Sequence, residues 1–157
     1  MNDTQTTFRV DRFEEADKTA CRALWAAYEQ GKVRTDSFDA LFARLWDELM
    51  AGMPSFSGFC LRDAARGEPV GFAFFVRHFC TKSTQAELYL SDLFIAEEWR
   101  GKGGGAMLMD ALIAQGRSEG LERASWITRP GNLKSRTLYD RYASGERWVR
   151  YKLSLRS

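Results

Sequence analysis

Between a predicted strand and a predicted helix, the chain runs Arg100-Gly101-Lys102-Gly103-Gly104-Gly105. Glycines have no Cβ, so their backbone can come close to a ligand, and the free N–H groups at a helix start favour anions such as phosphate. Arg100 and Lys102 add positively charged donors to the turn. We therefore expect the amides of residues 100–106, up to Ala106, to bind a phosphate group. The alternative is a flexible glycine turn without a ligand.

Two other phosphate-binding loops fit this stretch less well. Gly101, Gly103 and Ala106 match the letters of a dinucleotide-binding motif, but that motif follows its strand directly and opens a fold with several more strands. A Walker A loop needs Lys-Ser or Lys-Thr after its glycines, and neither follows here. The sequence therefore does not favour a nucleotide-hydrolysing enzyme.

The flanking sequence predicts alternating strands and helices. Hydrophobic spacing predicts strands at 8–10, 56–61, 70–79, 87–95, 124–128 and 148–155, and helices at 17–31, 38–52, 103–119 and 133–142. We expect Asp17 to cap the first helix and Asp36 or Ser37 to cap the second. A meander followed by a β-α-β unit favours an α+β fold with a mixed sheet over a doubly wound fold.

Composition supports a single folded domain spanning residues 1–157. The chain is 45% hydrophobic and 28% charged with 3 prolines, which excludes disordered and collagen-like classes. Its apolar runs are shorter than the roughly 20 residues of a membrane span, and the first ten residues are polar. We therefore expect a cytoplasmic protein without a membrane partner.

Metal and nucleic-acid binding are also not expected. Cys21, Cys60 and Cys80 are widely spaced, and His78 is the single histidine, which favours free thiols over a zinc site or a disulfide framework. The net charge is +2, and no dense run of basic residues interleaved with aromatic residues occurs. Basic residues are in excess after residue 96 and acidic residues before it. This pattern suits one anionic and one cationic ligand, and unpatterned surface charge is the equal alternative.

The order of these features resembles the GNAT superfamily of N-acetyltransferases. Arg100, Gly103 and Gly105 fill the (Q/R)xxGx(G/A) pyrophosphate loop of that family. The resemblance is strongest over residues 86–142 and implies a mixed, mostly antiparallel twisted sheet flanked by helices on both faces. It also implies acetyl-CoA as co-substrate, bound in part by Gly101, Lys102, Gly104 and Ala106 of the same loop.

A second part of the resemblance lies after the loop. Asn132, Ser135 and Tyr139 match a later asparagine, small residue and tyrosine of the family. By resemblance, Asn132 and Ser135 contact the co-substrate and the Tyr139 hydroxyl lies beside its sulfur. A tyrosine is protonated at neutral pH, since its ordinary pKa is about 10, and it can therefore protonate a leaving thiolate. Without the motif, packing beside Tyr142 would be the default role.

The strand at 89–95 resembles the LxDLFV strand of polyamine and diamine acetyltransferases of the spermidine/spermine type. In those relatives a glutamate stands where this chain has Ser91, and the Gly-Phe that usually follows the tyrosine helix is replaced here by residues 143–148. The resemblance places Leu93, Phe94 and Ile95 against the co-substrate. It also implies a β-bulge near residues 94–96 that frees an amide to polarise the thioester carbonyl.

Asp92 is the first choice of general base. It shares one alternation with Leu88, Leu90 and Phe94, so a carboxylate there requires an explanation, and partial burial would raise its pKa. A salt bridge within the sheet is the equal alternative for Asp92. Glu87 is the reserve carboxylate. His78 could relay protons, but a lone histidine is more often structural.

Together these features favour an acetyl-CoA-dependent N-acetyltransferase without a metal. Its acceptor would be a primary amine of a small molecule, such as a polyamine, a diamine or an amino-acid-like compound, attacking directly in a ternary complex. A non-catalytic acyl-CoA sensor and a protein or peptide N-acetyltransferase are the alternatives. By analogy with this fold, the strand at 148–155 could mediate a homodimer.

Overall fold

The computed structural model describes residues 7–32, 36–146 and 149–155. The strands in these ranges are β1 (Phe8–Asp11), β2 (Phe56–Asp63), β3 (Pro69–His78), β4 (Glu87–Ile95) and β5 (Ala124–Trp126). The helices are α1 (Lys18–Glu29), α2 (Phe38–Ala51), α3 (Gly104–Ser118) and α4 (Leu133–Tyr139). Short 3₁₀ turns precede α1 at Glu15–Asp17 and follow β4 at Glu97–Trp99.

The five strands form one sheet in the order β1-β2-β3-β4-β5. The first four strands pair antiparallel, and β5 pairs parallel to β4 after the α3 crossover. The predicted meander followed by a β-α-β unit is confirmed, as is the α+β class with a mixed, mostly antiparallel sheet.

Helices cover both faces of the sheet. Phe72 and Phe74 of β3 turn towards α1 and α2, where they join a buried cluster with Trp46. The opposite face receives α3, whose first residue Gly104 lies against Leu61. This arrangement follows from the alternation of side chains along each strand, since residues 70–75 of β3 are buried on both faces of the sheet.

The second helix forms as its sequence predicts. The Ser37 hydroxyl accepts a hydrogen bond from the Ala40 N–H at 3.2 Å, and the helix ends at Gly52 in the left-handed region. Phe42 and Trp46, four residues apart, are its buried residues. Spacing and caps were therefore sufficient to predict this helix.

The prediction that the Asp17 side chain caps α1 is wrong. Asp17 stands at the N-cap position, but its carboxylate makes no cap bond and instead pairs with Arg62 of β2 at 2.6 Å. The Glu14 N–H also donates to this carboxylate at 2.8 Å. Because both Asp17 and Arg62 are buried, tertiary pairing takes the carboxylate away from the helix end.

The C-terminal predictions need correction. Strand β5 ends at Trp126 rather than at residue 128, and α4 ends at Tyr139 rather than at residue 142. Residues 149–155 contain no strand, although their alternation predicts one, because no neighbouring strand pairs with them in the described ranges. Trp148, where that predicted strand begins, lies outside the described residues.

The described residues form two compact units. The first ends at Ile127 and holds the sheet with α1, α2 and α3, and the second begins at Thr128 and holds α4. The prediction of one domain over residues 1–157 stays a prediction. Within the described ranges, no helix has the length and apolar character needed to cross a membrane.

Candidate functional site

The glycine-rich turn leads directly into α3. Gly101 and Gly103 have φ values of 75° and 89°, a region that L side chains rarely adopt. Gly103 occupies the N-cap position and has no side chain that could accept from the first turn of the helix. Gly103 therefore supplies no side-chain cap to the N–H groups of Gly104 and Gly105, with which the helix begins.

Gly104 fixes the start of α3 on the sheet. A Cβ on this residue would lie 2.6 Å from Cδ2 of Leu61 and 3.3 Å from Cδ1 of Ile95. Only a residue without a side chain allows so close an approach. The positive end of the α3 dipole therefore lies beside the end of β4.

The two cations of the turn are exposed and lie over aromatic rings. The Arg100 Nε donates to the Ile95 carbonyl at 2.9 Å, and its guanidinium lies 5.5 Å from the centre of the Phe94 ring. The Lys102 ammonium lies 4.7 Å from the centre of the Trp99 ring. Arg100 thus folds the turn back onto β4, and both charges stand where an anion could reach them.

The two last strands separate after a short pairing. Strand β5 pairs with β4 only from Leu88 to Leu90, whereas β4 continues to Ile95. The Ala96 N–H donates to the Val70 carbonyl of β3, so the alternation of an antiparallel ladder points the N–H groups of Leu93 and Ile95 away from β3. These two amides line the gap that β5 leaves.

The bulge in β4 lies at Ser91 and not near residues 94–96 as expected. Phe74 of β3 pairs with Asp92 and Phe75 pairs with Leu90, so Ser91 is the extra residue. A bulge reverses the alternation of the residues that follow it. The expectation that Asp92 shares a face with Leu88 and Leu90 is therefore wrong.

As a result, the Asp92 side chain faces α1. The Tyr28 hydroxyl donates to Oδ1 of Asp92 at 2.6 Å. Burial raises the pKa of Asp92, and the Tyr28 hydrogen bond and the positive charge of Lys32 oppose this rise without cancelling it. The salt bridge within the sheet, the alternative for Asp92, is not observed among the described residues. Asp92 is thus a half-buried carboxylate held by a phenol.

Tyr28 is the residue of this cluster that sequence reasoning missed. Its spacing in the sequence of α1 places it in the helix's hydrophobic stripe, together with Trp25. The ring does pack on Phe72 and Phe94, at centroid distances of 5.6 and 5.8 Å, but the hydroxyl reaches a residue 64 positions away. A tyrosine in an otherwise apolar stripe was the available signal, since a buried hydroxyl needs a partner.

The reserve carboxylate Glu87 lies at the other end of β4. The Ser125 hydroxyl donates to it, and Arg123 lies 3.8 Å from its second oxygen. Glu87 pairs across the sheet with His78, whose ring is exposed and lies against Tyr89. Five residues of strand, about 16 Å, separate Glu87 from Asp92, so the structure does not bring the two carboxylates together.

The second unit holds the other three residues expected at the site. Asn132 caps α4: its Oδ1 accepts from the Ser135 N–H at 3.4 Å, and its Nδ2 donates to the Thr128 hydroxyl at 3.0 Å. Tyr139 is the last residue of α4 and is half-buried. Burial raises the pKa of Tyr139, which therefore keeps its proton at neutral pH.

Cys21 and Cys60 take no part in the cluster that Tyr28 and Asp92 form. Cys21 and Cys60 are buried, and burial raises the pKa of each thiol to about 12. At neutral pH both are protonated and inert as nucleophiles. In the parts of the chain that the structure describes, no three His, Cys, Asp or Glu side chains are grouped as metal ligands.

Comparison with known proteins identifies relatives of this chain. The model of the acetyltransferase (GNAT) family matches residues 18–143. A D-amino-acid N-acetyltransferase of Saccharomyces cerevisiae is 27% identical over 147 residues, which are 91% of this chain and 88% of the yeast protein.

Solved structures share the fold. The aminoglycoside N-acetyltransferase AAC(6')-Iy, in complex with a CoA-containing bisubstrate analogue, has a TM-score of 0.77 at 17% identity and covers 94% of this chain and 98% of its own. The ribosomal-protein-alanine N-acetyltransferase of Brucella melitensis biovar Abortus 2308 has a TM-score of 0.78 at 19% identity. The match covers 95% of this chain and 99% of the Brucella protein. At these identities the likeness shows the fold alone.

Proposed function

Because the chain belongs to the GNAT family of N-acetyltransferases, we propose that it moves the acetyl group of acetyl-CoA to a primary amine of a small molecule, by direct attack in a ternary complex. The observation that carries this proposal is the junction of β4 and α3. There the outer edge of Leu93–Ile95, which pairs with no strand in the described ranges, adjoins the glycine-rich helix start. Asp92 comes from the same strand.

The residues at this junction fit the co-substrate. The glycine turn offers amides and the α3 dipole to a pyrophosphate, and Arg100 and Lys102 add charge. The edge of Leu93 and Ile95 can pair with the amide groups of an extended chain, much as a further strand would. Bound acetyl-CoA would supply the activated acetyl group as a thioester.

Each step of the transfer has a candidate group. The N–H groups of Leu93 and Ile95 can donate to the thioester carbonyl and stabilise the developing oxyanion. Asp92 accepts the proton that the acceptor ammonium must lose before its nitrogen attacks. Tyr139, assigned by its match to the family's tyrosine, gives its proton to the thiolate that leaves, and the tyrosinate takes back the second proton that the nitrogen loses as the amide forms.

We further propose an amino-acid-like acceptor rather than a polyamine. The Lys32 ammonium lies 3.0 Å from the centre of the Tyr28 ring and acts electrostatically on Asp92. Lys32 also pairs with Glu29 at 3.0 Å, but an ammonium has three donors and can still pair with the carboxylate of an amino acid, whereas it repels the second ammonium of a polyamine. The yeast relative, named for D-amino acids, agrees with this choice.

A homodimer is proposed through residues 149–155. Val149, Tyr151, Leu153 and Leu155 alternate with polar residues and are 76–92% exposed. A strand pattern that exposes one apolar face indicates a missing neighbour, and a second copy is the partner we propose. Light scattering on a size-exclusion column tests this: a monomer mass at micromolar concentration would contradict it.

The cytoplasmic location stays a prediction from composition.

One assay tests the proposed function. CoA release from acetyl-CoA is measured for the wild type and Tyr139→Phe. The acceptors are L- and D-amino acids, diamines, polyamines, aminoglycosides and a peptide. We expect release with an amino acid and much slower release in the variant. Binding of CoA without release for any amine would contradict catalysis and support the sensor alternative, whereas release with the peptide alone would support protein acetylation.

A further inference from the structure

The Tyr28 side chain is held in one orientation by aromatic neighbours. Its ring stands nearly perpendicular to Phe72, at 85°, and edge-on to Phe94, at 61°, and it also touches Trp25 at a centroid distance of 5.4 Å. With its ring so confined, the hydroxyl has little freedom. It points at Asp92, to which it donates at 2.6 Å.

This hydrogen bond occupies only one oxygen of the carboxylate. Oδ1 of Asp92 accepts from Tyr28, and in the described part of the chain Oδ2 has no hydrogen-bond partner. The bulge at Ser91 places Asp92 on the α1 face, where Tyr28 can reach it. Bulge and phenol together therefore determine which oxygen is available for proton transfer.

We propose that Tyr28 is a positioning residue that holds Oδ1 of Asp92, so that the charged carboxylate takes a proton through Oδ2. The inference rests on the proposed role of Asp92 as general base. In the step, one N–H bond of the acceptor ammonium breaks and one O–H bond forms on Asp92, giving a neutral amine and a carboxylic acid. Tyr28 keeps its own proton throughout.

The surroundings of Asp92 explain why this donor matters. Tyr28 and Glu29 approach it from α1, and Lys32 approaches it from the turn that follows α1. Lys32 also pairs with Glu29 at 3.0 Å. The strand neighbours add no charge, since Phe74 lies opposite Asp92 on β3. Burial and Glu29 disfavour the carboxylate, whereas Tyr28 and Lys32 favour it. Loss of the phenol donor shifts this balance towards the protonated acid.

The test is the pH profile of kcat/KM for the amine in Tyr28→Phe. We expect the acidic limb to move up by about one pH unit, because a hydrogen bond to a charged group is lost. At any pH on the acidic limb the rate should fall about tenfold and recover as pH rises, whereas KM for acetyl-CoA should not change. Tyr89→Phe is the matched control: it makes the same change on β4, where the ring lies against His78.

A readout independent of turnover accompanies the profile. Carboxyl ¹³C NMR follows the titration of Asp92, whose signal is assigned with Asp92→Asn, in the folded wild type and in Tyr28→Phe. A raised pKa in the variant is expected. Active wild type with an unchanged profile and titration in Tyr28→Phe would overturn the positioning role. Wild type that transfers no acetyl group to any amine would overturn the proposed function instead, and the NMR titration would still decide on Tyr28.

Discussion

At the residue scale, two protonatable side chains carry the proposed chemistry, and burial acts on both in the same direction. Burial raises the pKa of Asp92 and of Tyr139, because a charged oxygen loses solvation in each case. For Asp92 this makes a stronger base than an exposed aspartate. For Tyr139 it keeps the proton available up to high pH.

Asp92→Asn should lower turnover by roughly 10²–10⁴-fold, because it removes the proton acceptor and preserves the size of the side chain. In the wild type we expect the rate to fall with decreasing pH as Asp92 becomes protonated, at a pH above the ordinary aspartate pKa. The variant should lose this dependence. Steady-state kinetics across pH measure both effects.

Glu87→Gln serves as the control for Asp92, since Glu87 is bound to Ser125 at the far end of β4. It should retain near-normal turnover. If Glu87→Gln is inactive and Asp92→Asn is active, the assignment of the base is reversed.

Tyr139→Phe should lower turnover by about 10²-fold or more and leave CoA affinity almost unchanged, because the ring remains and only the acidic proton is lost. The loss of rate stays near the lower end of the 10²–10⁴-fold range that is roughly typical of a removed general acid. The reason is that a thiolate, whose thiol has an ordinary pKa of about 8.5, can leave partly without protonation. The wild-type rate should decline at high pH, above the ordinary tyrosine pKa, and the variant should lack this decline. Stopped-flow detection of free CoA gives the rate, and full activity in the variant would return Tyr139 to a packing role.

At the scale of elements, the end of β4 and the start of α3 form one functional piece. Gly104 brings the helix onto the sheet, and Arg100 ties the turn to the Ile95 carbonyl. The short β5 leaves the adjoining edge of β4 open. An extended ligand with a phosphate group at one end suits this piece, because edge amides and helix amides follow one another along the chain.

Gly103→Val should weaken CoA binding strongly, since a branched side chain would stand where the phosphate approaches. Gly120→Val is a matched control: Gly120 also has a positive φ, 70°, but it lies beyond the other end of α3. Both variants should unfold at a lower temperature than the wild type. Calorimetry should find normal CoA affinity in the control alone.

Thermal unfolding provides a second measurement for the same pair. At a hundredfold excess over Kd, a ligand that binds only the folded state stabilises it by about 2.7 kcal/mol. CoA should therefore raise the Tm of the wild type and of Gly120→Val. An equal rise in Gly103→Val would show that the turn does not bind the ligand.

At the scale of the whole molecule, a buried ion pair ties the N-terminal segment to the sheet. Arg62 of β2 donates to both oxygens of Asp17, at 2.8 and 2.6 Å, and also lies 3.2 Å from Asp11. Burial alone would raise the pKa of Asp17, but the hydrogen bonds from Arg62 and the Glu14 N–H lower it overall. Removal of the Asp17 charge would leave the buried Arg62 guanidinium with the weaker ion pair to Asp11 alone, among the described residues.

Asp17→Asn should lower the free energy of unfolding at neutral pH by about 3 kcal/mol, the low end for a broken buried pair, because Asp11 still pairs with Arg62. The pKa of Asp17 is lower in the folded state, so its contribution is present above the ordinary aspartate pKa of about 4 and is lost as pH falls through the folded-state value. The difference in the free energy of unfolding between Asp17→Asn and the wild type should therefore become smaller at acidic pH. Urea unfolding at several pH values measures it.

Asp39→Asn breaks the exposed Arg22–Asp39 pair and provides the comparison, because both side chains are more than half exposed. Its effect should stay within about 1 kcal/mol. Equal losses in the two variants would contradict a special contribution from the buried pair.

The sequence by itself determined the α+β class, the strand and helix order up to α4 and the glycine turn before α3. These features depend on local spacing, on caps such as Ser37 and on glycines that tolerate positive φ, all of which the chain displays residue by residue. The resemblance to a family of acetyltransferases rested on the same local motifs, and the family match agrees with it.

Only the tertiary structure decided which side chains meet. A single extra residue at Ser91 turns Asp92 from the α3 face to the α1 face, and no periodicity reveals a bulge before the partner strand is known. The contacts of Asp92 with Tyr28 and of Asp17 with Arg62 join residues 64 and 45 positions apart. A buried polar group needs a hydrogen-bond partner, and the packing between elements determines which groups are buried. Local sequence patterns do not show this packing.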